Sequence, residues 1–262
     1  VTASYKSGLV FGKSILDLTG GFGVDSYYFS KSFQKVIHCE ITKNLSEIAA
    51  HNFKQLAILN IETISENGLE YLKKSTEIFD VIYIDPSRRN DVKEKVFLLK
   101  DCEPNIPENI DLLFKKTKTI LLKNSPILDI TSAINELKFV KEIHVVAINN
   151  DVKELLYILE KGYCKEILIK TINFTKNNAQ KFHFNYHKKP VSSYHEPLEY
   201  LYEPNAAVLK SGAFHEISTQ LNIFKLHQHS HLYTSKKRIK LPGREFKIVA
   251  VLPYAKKKIV KL

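Results

Sequence analysis

The chain has no methionine, only three cysteines among its 262 residues, and no apolar run long enough to cross a bilayer. A membrane helix needs about 20 consecutive apolar residues, so no membrane span is expected. The N-terminal stretch lacks the basic start and apolar centre of a secretory leader. Cys39, Cys102 and Cys164 lie far apart with no CxxC pair. That spacing excludes a disulfide or zinc framework and suits reduced thiols, so a cytoplasmic location is expected. Internal repeats and low-complexity tracts are also missing. The start at Val1 and the lack of any methionine read as a segment of a longer protein.

What is present is a hydrophobic content of 44%, enough for a real core, and a charge that is unevenly placed. The net charge is +11. Residues 1–175 carry 23 Lys and Arg against 23 Asp and Glu, whereas residues 176–262 carry 16 against 5. The whole excess therefore lies in the last third. Such asymmetry points to a polyanion-binding part joined to a neutral one.

The neutral part alternates short apolar runs with helical patterns. Strands are expected at 14–18, 35–41, 61–65, 79–84, 119–124, 141–149 and 165–173. Helices are expected at 25–33, 44–56, 68–74, 107–116, 127–137 and 151–162. In the second helix Leu45, Ile48, Ala49 and Phe53 form the apolar stripe. The last helix has an Asp at its start and Gly162 at its end. Seven strands alternating with helices give a Rossmann-like α/β sheet covered on both faces. The pattern breaks near 174. Residues 175–192 read as a strand-poor connection, and 193–262 as a smaller basic α+β domain that runs out in mid-pattern.

Between the first strand and first helix stands LDLTGGFGVD, Leu16 to Asp25. Glycines at such a turn let the backbone reach positive φ and let a ligand approach closely. The helix start behind them offers free N–H groups to an anionic group. Three ligands suit the arrangement. A nucleoside triphosphate would need GxxxxGK[ST], which does not follow this strand. A dinucleotide would need GxGxxG, and here Ser26 replaces the last glycine. S-adenosylmethionine needs an acid four residues before a GxG, and Asp17, Gly21 and Gly23 meet that spacing. Thr19 lies within the same loop. Glu40, at the end of the second strand, is placed to accept the ribose hydroxyls of an adenosine. Asn67, after the third strand, stands where an adenine contact or an ordinary turn residue would be. Asp85 and Pro86 open DPSRR (85–89) at the end of the fourth strand, where open α/β sheets hold their ligands.

Together, DLTGGFGVD and DPSRR resemble the class I S-adenosylmethionine-dependent methyltransferases. LKDCEPN, HVVAINN and YEPNAAVLKSGAF resemble the bacterial subgroup that joins such a domain (1–174) to a THUMP-like C-terminal domain. The resemblance covers essentially the whole chain. It implies S-adenosylmethionine as cofactor and an RNA substrate, tRNA or rRNA. DPSRR departs from the [DN]PP[YF] of many amine methylating enzymes. It is also close to the DPPR of uracil-C5 enzymes, but KNSP (Asn124, Ser125) after the fifth strand holds no thiol, and Cys102 reads as an inert one. A base nitrogen is therefore the expected acceptor, oriented by Asp85, with Arg88 or Arg89 beside it. RNA contacts are expected from Lys236, Lys237 and Arg238 and from a stacking Tyr233. His227, His229 and His231 share one face of an expected strand, without a fourth ligand, so no metal is expected. Two other readings stand beside this one: an RNA-binding module that keeps the cofactor pocket without turnover, and a NAD-type oxidoreductase.

Overall fold

The computed structural model describes residues 1–88, 98–186 and 190–253; for Arg88 it describes the main chain alone. A helix, α1 (Thr2–Ser7), precedes the first strand. The strands of the main sheet are β1 (Ser14–Asp17), β2 (Lys35–Cys39), β3 (Ile61–Ile64), β4 (Phe79–Ile84), β5 (Thr117–Asn124), β6 (Val140–Ile148), β7 (Asp151–Glu160), β8 (Leu168–Phe174) and β9 (Ala179–Asn185). Their order is β9-β8-β6-β7-β5-β4-β1-β2-β3. Among the described residues the sheet thus has nine strands where seven were expected. β1 pairs in parallel with both β2 and β4, so the strand order reverses there, and the carboxyl ends of β1 and β4 form the switch point where such sheets bind ligands.

Helices α2 (Val24–Phe29), α3 (Lys43–Gln55), α4 (Gly68–Lys74), α5 (Ile106–Lys116) and α6 (Ile130–Glu136) connect the strands. Their starts follow from local chemistry. Asn67, Asn105 and Asp129 each accept backbone N–H groups of the first turn through a side-chain oxygen. In α3 the buried residues are Ser46, Ala49 and Phe53, whereas Ile48 is 47% exposed, so the buried stripe is rotated from the expected one.

The segment 151–162 is not a helix. Val152, Leu155, Leu156 and Leu159 do satisfy helical spacing, which is why the sequence misleads. But Glu154 to Leu159 is an unbroken buried run, as a strand covered on both faces requires. Asn149 and Asn150 take φ of 50° and 65°, the left-handed pair that closes a two-residue hairpin. The returning strand inserts between β5 and β6, antiparallel to both. The expected connection at 175–192 likewise carries β9, which turns back on β8 through Thr175 and Asn178.

Beyond it, β10 (Tyr200–Pro204), β11 (Phe224–Lys225), β12 (Tyr233–Ser235) and β13 (Gly243–Lys247) form an antiparallel sheet in the order β11-β12-β10-β13, with α7 (Ala206–Lys210) and α8 (Glu216–Leu221). This unit is not merely tethered. Tyr202, Ala207, Val208, Ile217 and Tyr233 belong to the same apolar core as Leu16, Ile82 and Leu155. Polar bonds finish the seam: Asn150 Oδ1 accepts from the Ala206 N–H at 2.7 Å, and Gln180 Nε2 donates to the Gly243 carbonyl at 2.9 Å.

Asn150→Ala should cost about 2 kcal/mol, combining the loss of a polar side chain that tolerates left-handed backbone with the lost bond to Ala206. Urea unfolding of parent and variant measures it, and an unchanged midpoint would contradict this account of the hairpin.

Candidate functional site

The glycine turn is held from below by a buried polar cluster. Asp17 is fully enclosed. Its Oδ1 accepts from the Thr19 N–H at 3.1 Å and its Oδ2 from Ser26 Oγ at 2.7 Å. Ser26 Oγ also lies 3.1 Å from His38 Nδ1. Burial pushes the Asp17 carboxyl up to about 7 and His38 down to about 4. Ser26, the departure from a dinucleotide fingerprint, is thus the residue that ties α2 to Asp17.

Above this cluster the backbone is shaped by contact. A Cβ on Gly20 would lie 2.1 Å from the His38 ring, so no larger residue fits. Gly21 has φ +56°, and a Cβ there would meet nothing within 4 Å: the space over it is open. The Gly21 N–H donates to Glu40 Oε2 at 3.0 Å, while Glu40 Oε1 accepts from the Thr42 N–H at 2.7 Å. The carboxylate is thereby fixed in orientation, and its remaining lone pairs can accept hydroxyls.

A cleft of about 540 Å³ opens here, lined among others by Thr19, Glu40, Asn67, Asp85 and Ser87. Four of the residues expected from sequence therefore share one cleft. Asp17, Gly21 and Gly23 are not among its lining residues: Asp17 supports the loop from beneath, Gly21 is joined to the cleft through its bond to Glu40, and Gly23 takes φ +79° at the start of α2 and packs against Phe53. Asn67 Oδ1 is engaged in capping α4, accepting from the Leu69 N–H at 2.9 Å. The Asp85 N–H donates to Thr19 Oγ1 at 2.7 Å, which joins the loop to the end of β4.

Beside Asp85 stands a residue that the motif reading missed. Lys123, at the end of β5, is ion-paired to Asp85 Oδ2. Burial works against its charge, but Asp85, Asp25 and Glu154 more than offset this and raise its pKa. A second pair lies deeper. Lys6, on α1 and almost fully buried, contacts Asp25 at 2.9 Å and Glu154 at 3.0 Å. Tyr83 Oη donates to Asp25 at 2.6 Å. Lys6 stands in no recognisable motif, Lys123 opens the KNSP run that was read only for its missing thiol, and Glu154 falls in the stretch misread as a helix.

Other expectations fare differently. Pro86 is buried at the base of DPSRR, and Ser87 and Arg88 pair with Glu103 and Cys102. Arg89 lies outside the described residues. Tyr233 cannot offer a stacking face: it is completely buried and its hydroxyl donates to the Phe214 carbonyl at 2.8 Å. Lys236, Lys237 and Arg238 are exposed next to it, Arg238 paired with Glu245. The three histidines do not share a strand face. They lie in a turn, where His227 Nδ1 accepts from the His229 N–H and His231 stacks on Phe214.

The fold matches a solved structure from Porphyromonas gingivalis W83, provisionally named a methyltransferase, with 31% identity and a TM-score of 0.86. The match covers 97% of this chain and 65% of that one. A Mycoplasma mobile protein named as an uncharacterized RNA methyltransferase is 31% identical over 93 residues, which is 34% of this chain and 25% of that protein. The chain thus spans less than two thirds of either relative. A ferredoxin-like domain family matches residues 200–242, the heart of the C-terminal unit. Its antiparallel sheet agrees with that match.

Asp17 supplies a test of the loop's foundation. Its pKa is raised by folding, so its contribution to stability is best below the unfolded value near 4 and declines as pH rises towards about 7. Asp17→Asn removes that penalty. The stability of the variant relative to the parent should rise between pH 4.5 and 7, by at most roughly 3 kcal/mol. An equal difference at both pH values in urea unfolding would show an ordinarily ionised Asp17.

Proposed function

We propose that the chain is an S-adenosylmethionine-dependent methyltransferase acting on RNA. The observation that carries this reading is Glu40, fixed by the Gly21 and Thr42 N–H groups at the rim of the cleft that also holds Asp85. In this reading Glu40 accepts the adenosine ribose hydroxyls, and Asn67 and Leu69 border the base. The open space over Gly21 admits the amino-acid portion of the cofactor. When bound, the sulfonium supplies an activated methyl group. The chain then mainly has to align donor and acceptor. Asp85, tied to Thr19, is at the acceptor side.

An RNA substrate is supported by the net charge of +11, carried by residues 176–262, and by the name of the Mycoplasma mobile relative. The exposed Lys236, Lys237 and Arg238 would engage phosphates. A NAD-type reading is disfavoured by Ser26, whose hydroxyl is committed to Asp17. A base nitrogen is the acceptor expected from DPSRR and from the absence of a thiol after β5. The charges around Asp85 argue for a different atom.

Calorimetry should detect S-adenosylhomocysteine binding and no NAD binding. Gly21→Val should abolish the binding by placing a branched side chain in the open space at positive φ. Equal or tighter NAD binding would reject the assignment. Replacing Lys236, Lys237 and Arg238 together with Glu should weaken RNA binding without altering S-adenosylhomocysteine affinity. The slope of log affinity against log salt should fall by about 2, since each phosphate contact contributes roughly 0.7 on a single strand. An identical slope in filter-binding titrations would mean that this run does not touch RNA.

A further inference from the structure

The geometry points to a hydroxyl oxygen, the ribose 2′-hydroxyl of RNA, as the methyl acceptor, with Lys123 as the cation that stabilises charge on that oxygen. The inference rests on the methyltransferase reading and deepens it. Its basis is the sign of the fixed charge beside the acceptor side of the cleft. Lys123 is paired with Asp85 at the adjoining ends of β4 and β5, and both side chains stay partly open, at 26% and 34% exposure. An ion pair that open adds little to folding, roughly 0–1 kcal/mol. Each partner is still free to meet a ligand.

Asp25 and Glu154 also act on Lys123 and, with Asp85, keep it an ammonium. They are held in turn by the buried Lys6, at 2.9 Å and 3.0 Å. Burying two charges and their partners is costly, and Glu154 Oε1 finds no hydrogen-bond partner among the described residues. A set built at that cost beside the acceptor side calls for a reason beyond folding.

The two kinds of acceptor differ in what they need. A base nitrogen attacks with a free lone pair and gains positive charge, which a neighbouring ammonium opposes. A hydroxyl is a poor nucleophile until its proton begins to leave. It gains negative charge, which an ammonium stabilises. In the step, the hydroxyl oxygen forms its bond to the methyl carbon as the carbon–sulfur bond breaks. Sulfur keeps the electron pair as a neutral thioether, and the hydroxyl proton passes to the Asp85 carboxylate and then to solvent. The 2′-hydroxyl is also the group that distinguishes RNA from DNA.

The test transfers a radiolabelled methyl group from S-adenosylmethionine to total RNA of a strain lacking the gene, followed by complete alkaline hydrolysis. Alkali cleaves RNA through the 2′-hydroxyl, so a methyl there leaves an uncleaved dinucleotide. Label is expected in dinucleotides. Lys123→Met should lower the rate by about 10²–10³-fold, the usual loss for one oxyanion donor, with S-adenosylhomocysteine affinity retained as proof of folding. Lys123→Arg, which keeps a cation, should transfer at least roughly tenfold faster than Lys123→Met. Label in mononucleotides, or an unimpaired Lys123→Met, overturns the hydroxyl assignment and leaves the methyltransferase reading standing. No transfer by the parent protein overturns both.

Discussion

The turn from Leu18 to Gly23 can keep its shape only because it is pinned from two sides. Beneath it, the enclosed Asp17 gathers the Thr19 N–H and the Ser26 hydroxyl. In front, Glu40 takes the Gly21 N–H. Gly20 is pressed against the His38 ring, so the backbone has no freedom to relax. The rest of the cleft is referred to this turn: Thr19 fixes Asp85 across the switch point, and the Asp85 carboxylate fixes Lys123. Loss of the lower anchor would disturb the upper one, although Asp17 touches no ligand itself.

Much of this was legible in the sequence because it depends on local chemistry. Glycine spacing after a short apolar strand and an acid at the end of the next strand each have a short-range cause. What was not legible depends on distant partners. The segment 151–160 satisfies helical spacing and strand burial alike, and only its insertion between β5 and β6 decides. Tyr233 stands beside a basic run yet faces inward, because β12 is buried throughout and Tyr233 joins a core shared with the main sheet. Lys6, Lys123 and Glu154 are brought together from positions more than a hundred residues apart at the extremes, and no spacing rule links them.

The C-terminal unit changes how the charge asymmetry is understood. Its core is continuous with that of the sheet, and Gln180 on β9 bonds to its backbone. The basic run at 236–238 is therefore carried on a surface rigidly related to the cleft, and it is not on a free module.

In the proposed reading, the glycine turn and Glu40 form the seat of an adenosine thioether. Backbone amide resonances followed during titration with S-adenosylhomocysteine test it most directly. The amides of Gly20, Gly21 and Thr42 should shift strongly and saturate together, while those of β11 and β12 stay in place. Saturable binding that leaves the Gly21 and Thr42 amides unmoved would place the ligand elsewhere and contradict the account.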